Sequence, residues 1–475
     1  MTVKLKPQLA NNMEGFVCIV FFFLSALCVG MEIMARKARP PEISASNPIF
    51  RKFQTDYFKV YFLALLADWL QGPYLYKLYS HYGFEESQIA VLYVCGFASS
   101  VIFGTGTGVL ADRYGRKKLC VCFAVVYSIS CLTKLSRHYG VLILGRVLGG
   151  ISTSLLFTAF ESWYVYEHIE THDFPPEWLP VTFSRATFWN GILAIGAGIA
   201  ANIFAGLFNF GPVAPFIMAI PLLIASGVLV STKWNENYGT RQMRFSKLCI
   251  EGLREIVRSK RILLIGAIQS LFESCMYIFV FIWTPVLDPS GPPLGVIFSS
   301  FMICIMIGSS LFHILTTKHA RLQAVHVLAI SVLLALTSMV ACIKSTHPHH
   351  ENPTVSFLAF LLLELACGMY FPCMGYLRSR IIPEKNRASV INWFRVPLNS
   401  IACIGLMYLH NDDVLGTHKI FIICSLLLMI AMLCVLQLCI FIKNDDSLRI
   451  QIVDTDTLNG NSVQGMERDS LMSKI

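Results

Sequence analysis

Charge is scarce in this sequence, and that scarcity excludes a freely soluble fold. Only 14% of the 475 residues are Asp, Glu, Lys or Arg, and 55% are hydrophobic, whereas soluble domains carry about 25% charged residues. The short patterns that mark many enzymes are also missing. No HExxH, GxSxG or Walker loop occurs, so neither an enzyme, a cofactor nor a nucleic-acid partner is expected. No Asn-x-Ser/Thr acceptor survives the rule against proline at x, because Asn352 precedes Pro353; glycosylation therefore gives no guide to sidedness. The 16 cysteines do not form a disulfide framework, since all but Cys249 fall in apolar stretches and read as small core side chains. His347, His349 and His350 lack the Cys or carboxylate partners that would complete a metal site, so they read as a solvated loop and no metal is expected. Gly104 to Gly108 alternates glycine with threonine inside an apolar run with no preceding strand, which fits close helix packing better than a phosphate loop.

Long apolar runs, by contrast, are abundant. A helix needs about 20 apolar residues to cross roughly 30 Å of hydrocarbon, and thirteen such runs occur. The first covers 14 to 35. The others, here spans 1 to 12, lie near 57–77, 88–111, 118–137, 140–165, 182–206, 212–232, 261–285, 294–316, 322–343, 353–377, 388–410 and 419–442. The expected organisation is an all-α membrane protein with an N-terminal anchor helix and linker (1–56), a six-helix half (57–232), a basic inter-half loop (233–260), a second six-helix half (261–443) and a polar, disordered tail (444–475). A signal peptide is the alternative for the first run. Its length, and the positive charge that follows it at Arg36, Lys37 and Arg39, favour an uncleaved anchor.

Lys and Arg number twenty-four on one set of alternating loops and seven on the other, so the basic set is expected to be cytoplasmic and the N-terminus outside. The halves repeat weakly. Span 5 opens with FSRATFWN (Phe183 to Asn190) and span 11 with WFRVPLNS (Trp393 to Ser400), each with an aromatic residue, an Arg and then an Asn.

Between spans 2 and 3 stands GVLADRYGRKK, Gly108 to Lys118. It resembles the signature loop of the major facilitator superfamily, and Arg146 to Gly150 resembles that family's RxxxG pattern. The GPxxGG pattern of some antiporters is missing from span 5, since Gly211-Pro212 lies at the start of span 6. The segments 46–79, 160–168 (FESWYVYEH), 273–302, 364–372 and 392–400 are similar to members of this superfamily in animals that carry molybdate. The resemblance covers about residues 46 to 443. It implies a secondary transporter working as a monomer in the lipid bilayer of the plasma membrane, with a small inorganic oxyanion, molybdate first, as cargo. It also implies a cavity lined by spans 1, 4, 7 and 10, supported by 2, 5, 8 and 11, with 3, 6, 9 and 12 on the lipid side.

Seven ionisable side chains lie well inside spans: Asp68, Arg146, Glu161, Arg185, Glu273, Glu364 and Arg395. Exposed to lipid they would together cost on the order of 20 kcal/mol, so they must face water or one another. At 1.5 Å per residue, Asp68, Glu273 and Glu364 fall roughly 16 to 18 Å into their helices, near the midplane. They are the candidates for proton coupling. Arg395, whose guanidinium offers two parallel N–H donors to two oxygens, is the first candidate anion ligand, with Arg146, Asn399 and Asn190 beside it. Arg185 paired with Glu161, together with Asp112, Arg113 and Arg116 of the signature loop, are the candidate gating residues. Four acids against three arginines give the set a net charge of minus one, which a dianion would make worse and protons would relieve. A sugar or organic-anion carrier of the same fold is the main rival, with Trp69, Trp163, Trp189 and Trp393 available for stacking. A non-transporting receptor built on the fold is a second.

Overall fold

The computed structural model describes residues 5–37, 47–239, 245–316, 322–347, 351–383, 387–409 and 417–443. The tail 444–475, with His349 and His350, lies outside the described residues. A helix stands at each of the thirteen expected places, and eleven are long and apolar enough by composition to cross a membrane. The other two, Pro48–Gln71 and Arg116–Thr133, carry clustered charge at one end and pack inside the same bundle.

Spans 1 to 6 are Pro48–Gln71 (resuming as Leu75–His81), Glu86–Tyr114, Arg116–Thr133, Tyr139–Leu156 with Ala159–Tyr166, Leu179–Asn202 and Ala214–Lys233. Spans 7 to 12 are Lys260–Leu287, Leu294–Thr316, Ala324–Ser345, Pro353–Ile381, Arg387–Leu409 and Thr417–Lys443. Two expectations need correction. Span 1 begins at Pro48 rather than 57, because Asn47 caps the helix by accepting from the Ile49 and Phe50 amides and Pro48 supplies a preset first turn. The segment read as a loop between the halves contains a helix, Phe245–Arg258, whose Ile250, Leu253 and Val257 form an exposed apolar stripe.

Contacts repeat between the halves. Span 1 packs on 5 as span 7 packs on 11; span 2 on 4 as span 8 on 10; span 3 on 4 as span 9 on 10. The halves themselves meet along two seams, span 2 against span 11 and span 5 against span 8. Glycines let these backbones touch. A Cβ on Gly198 would lie 2.7 Å from the Gly295 carbonyl across the span 5/span 8 seam, and one on Gly368 would run into the Ile305 carbonyl of span 8. Gly368→Ala is therefore expected to destabilise the second half by about 1–3 kcal/mol, read as a lowered Tm. Gly375→Ala on the same helix, where a Cβ meets nothing within 4 Å, should not lower it and gains helix propensity.

The N-terminal helix Leu5–Lys37 packs on span 8 and lies over the span 5/span 8 seam. Its Glu32 accepts from Ser310 Oγ at 3.0 Å, and its Arg36 both donates to Glu32 and sits 4.6 Å over the Phe188 ring of span 5.

Candidate functional site

A cavity of about 420 Å³ lies between the halves, walled by spans 1, 2, 3, 4, 7 and 11. Four of the sequence candidates converge on it: Asp68, Arg146, Arg395 and Asn399. Span 2 carries glycine where the guanidinium groups lie. A Cβ on Gly96 would be 2.5 Å from Arg146 Nη2, whereas one on Gly104 would meet Arg395 Nη1 only at ordinary contact distance, 3.8 Å, so the room is made for Arg146. Arg146 is oriented by donating from Nε to the Leu92 carbonyl at 3.1 Å and by lying 5.0 Å over the Tyr93 ring. Asn399 donates to the Arg395 carbonyl one turn earlier, at 2.7 Å, which uses one of its two amide N–H donors and leaves the other and the oxygen. Asp68 accepts from the Tyr127 hydroxyl of span 3.

Span 3 was expected on the lipid side, yet it supplies Tyr127, Ser130 and Lys134 to the wall, while span 10 supplies nothing. The cause is the small-residue face of span 4. Ser130 Oγ donates to the Gly145 carbonyl at 2.7 Å and would be 3.3 Å from a Cβ on Gly149, so side chains of span 3 reach past span 4 into the cavity. Lys134, which in the sequence reads as a loop lysine at the end of a span, stands in the cavity wall. The wall thus holds three cations, Lys134, Arg146 and Arg395, against one carboxylate, Asp68. With all ionised its formal excess is two positive charges, where the seven-residue count gave minus one.

The remaining candidates lie elsewhere. Asn190 faces an adjoining cavity of about 510 Å³ beyond Trp69, whose indole donates to Asn190 Oδ1 at 2.7 Å. Glu273 accepts from Tyr370 at 3.1 Å and Gln269 at 3.4 Å, and Arg378 in turn donates to Gln269. Glu364 is buried, 6% exposed, away from the cavity wall. Equal depth did not bring these two acids into the cavity wall: Glu273 shares a helix face with Tyr277 and Val280, which line it, but is held by Tyr370 and Gln269, and no residue of span 10, which carries Glu364, lines it.

The expected Arg185–Glu161 ion pair is not among the described contacts. Arg185 donates to Gln54 Oε1 at 2.7 Å, whereas Glu161 lines a cavity of about 660 Å³ on the basic-loop face that borders the central one at Phe157. In the signature loop Arg116 pairs with Asp112 at 2.7 Å, and Arg113 lies over the Tyr114 ring. The loop is clasped by the segment after span 6. Glu236 accepts from the Lys117 and Lys118 amides at 2.9 and 3.2 Å, capping span 3 from a distance, and the Gly239 amide donates to the Asp112 carbonyl. These described contacts all stay within one half. A contact that does join the halves is at the opposite face, where Lys77 pairs with Asp288 at 2.5 Å above the Tyr93–Phe281 and Phe97–Tyr277 ring contacts.

Gly96→Ala tests the importance of the Arg146 geometry. The added methyl should push the guanidinium off the Leu92 carbonyl and reduce transport about tenfold, the scale of one charge-assisted hydrogen bond. Gly106→Ala, with nothing within 4 Å of its Cβ, is the matched control for helix propensity.

Comparison with known proteins agrees with this architecture. A family profile described as sugar transporters with 12 transmembrane helices matches residues 16–363. A molybdate-anion transporter of Xenopus tropicalis is 52% identical over 436 residues, covering 91% of this chain and 96% of that one. A molybdate-anion transporter of Takifugu rubripes is 49% identical over 470 residues, covering 92% and 98%. Among solved structures, the nucleoside transporter NupG superposes with a TM-score of 0.64 at 14% identity, over 81% of this chain and 98% of its own. At that identity the likeness concerns the fold.

Proposed function

Because the chain belongs to the molybdate-anion transporter family of the major facilitator superfamily, we propose that it is a secondary transporter importing a tetrahedral oxyanion, molybdate first, by alternating access coupled to protons. The observation that carries this reading is the wall of the central cavity, with three cations to one carboxylate between two six-helix halves. A dianion neutralises that excess. Arg395 and Arg146, on opposite halves, would each offer planar N–H donors to the oxygens, and Asn399 would offer its second N–H to an oxygen and its Oδ1 to a bound water.

With the basic loops in the cytoplasm, the Lys77–Asp288 pair and the aromatic contacts beneath it close the outer side, while the cavity borders the cytoplasmic vestibule at Phe157. This is the arrangement of a carrier facing inward. The return to the outward state would separate Lys77 from Asp288 and bring the inner ends together. The plasma membrane is the proposed location and a monomer the proposed working unit, each half contributing one arginine to a single site.

The description of the matching family as sugar transporters supports a second reading, and Trp69 in the wall could stack on a sugar ring. An uncompensated pair of positive charges is a poor host for a neutral sugar, since nothing in that ligand would offset their desolvation. Purified protein in liposomes, given labelled molybdate or labelled hexose, decides between them. Saturable molybdate uptake with no hexose uptake is expected; the reverse would overturn the oxyanion reading.

A further inference from the structure

We propose that Lys134 is a third direct contact for the transported anion and the residue that sets its valence, making the cavity selective for a dianion over a monoanion of the same shape. The inference rests on the oxyanion reading above and sharpens it. Lys134 ends span 3, is 2% exposed, and lines the cavity together with Arg146, Arg395 and Asp68. Its Nζ is buried and has no hydrogen-bond partner among the described residues.

Its surroundings do not satisfy an ammonium. The nearest ring, Tyr79, lies 5.5 Å away and offers only its face, and the Tyr79 hydroxyl is itself buried without a partner. Arg146 on the neighbouring span carries the same sign. No carboxylate pairs with Lys134 among the described residues; Asp68 is engaged by Tyr127, and the described ion pairs lie elsewhere. The backbone nevertheless holds the lysine firmly at this point, since the Tyr82 hydroxyl donates to the Lys134 carbonyl at 2.5 Å and the Lys134 amide donates to the Cys131 carbonyl at 3.1 Å.

A buried amine with no partner is rare in folded proteins unless a ligand or water completes it. The adjoining cavity has room for a tetrahedral anion. Three rotatable donors on an ammonium suit oxygens left over after two arginines have taken theirs. The charge count then assigns valence. With Lys134 protonated the wall carries an excess of two, matching molybdate, tungstate or sulfate; without it the excess is one, matching a tetrahedral monoanion such as perrhenate.

The test is equilibrium binding of molybdate and perrhenate to the purified full-length protein, wild type against Lys134→Gln and Lys134→Arg, with Tm as the check of folding. Wild type should prefer molybdate. Lys134→Gln should weaken molybdate about tenfold or more and perrhenate, with half the charge, distinctly less, so that the preference narrows; Lys134→Arg should keep the dianion preference. If Lys134→Gln fails to fold, Lys134→Met, which removes the charge while keeping an unbranched apolar stem in the buried position, gives the same reading: a retained dianion preference in it would overturn the proposal. Proportional loss of both anions in a folded Lys134→Gln, or no change in either, would overturn the proposal. A wild type that binds neither anion would overturn the oxyanion reading itself.

Discussion

Arg395→Lys is expected to cut the initial rate of molybdate uptake by about ten- to a hundredfold while leaving the protein folded and at the membrane. Lysine keeps the charge and reaches the same cavity, so the long-range attraction for a dianion survives. It loses the planar fork, which for a tetrahedral oxyanion means two parallel hydrogen bonds to two oxygens at once. One charge-assisted hydrogen bond is worth about 1.5–3 kcal/mol, and each 1.4 kcal/mol is about tenfold. Arg395 also stands on span 11, across the cavity from Arg146 on span 4. A ligand shared between the halves stabilises whichever state holds both arginines near it, so the loss should appear in the rate as well as in the affinity. Arg185→Lys is the contrast. Arg185 donates to Gln54 near the basic-loop end of span 5 and does not line the central cavity, so its lysine variant should retain most uptake. Normal molybdate transport by Arg395→Lys, at equal surface amount, would remove Arg395 from the site.

Why some of this was legible in the sequence and some was not follows from what a linear pattern encodes. The runs of apolar residues and the matched FSRATFWN and WFRVPLNS segments were enough for twelve spans in two halves with one helix beyond them. The rise per residue is fixed, and of the three acids it puts at equal depth Asp68 lies in the central cavity. Azimuth was not legible. Span 3, expected on the lipid side, turns Tyr127, Ser130 and Lys134 to the cavity, while Glu273, which shares a helix face with the cavity-lining Tyr277 one turn on, is held by Tyr370 and Gln269 instead. A transmembrane helix is apolar on nearly every side, so its sequence carries little signal of which side meets which neighbour.

Lys134 was missed for a related reason. A lysine at the end of an apolar run looks like a loop residue or a snorkelling one, and only the glycines of span 4, at 145 and 149, reveal that its neighbours on span 3 reach inward. The early start of span 1 could have been found, since Asn47-Pro48 is a capping signal ahead of the apolar run. So could the inter-half helix, whose Ile250, Leu253 and Val257 recur at helical spacing. Hydropathy outweighed both signals because each helix also carries basic residues.

Asp68→Asn is expected to abolish the pH dependence of uptake while leaving uptake itself measurable. Over the seven intramembrane groups the net charge is minus one, but the cavity wall contains only one of the four acids, and that acid is Asp68. The case for coupling therefore moves to it. With Asp68 ionised, the wall's excess of two charges is cancelled by a dianion; with Asp68 protonated the excess is three, and the anion is held more tightly. By linkage the bound anion then favours the proton to the same degree, so the two enter together. A driving force is needed in any case. Moving two negative charges inward against about −60 mV costs roughly 2.8 kcal/mol, at about 2.3 kcal/mol per charge per 100 mV. Co-entry of protons offsets that cost. Uptake into liposomes at fixed voltage should rise as external pH falls, by at most about tenfold per unit for a single coupled proton, over a range in which the substrate stays a dianion. Asp68→Asn fixes the group in its neutral form, so the pH response should flatten and a pH gradient should no longer drive accumulation. Glu273→Gln and Glu364→Gln alter groups outside the cavity wall and should retain the response. A full pH response in Asp68→Asn, or its loss in Glu364→Gln alone, would show that the proton travels by another carboxylate and that Asp68 serves only to hold Tyr127 in the wall.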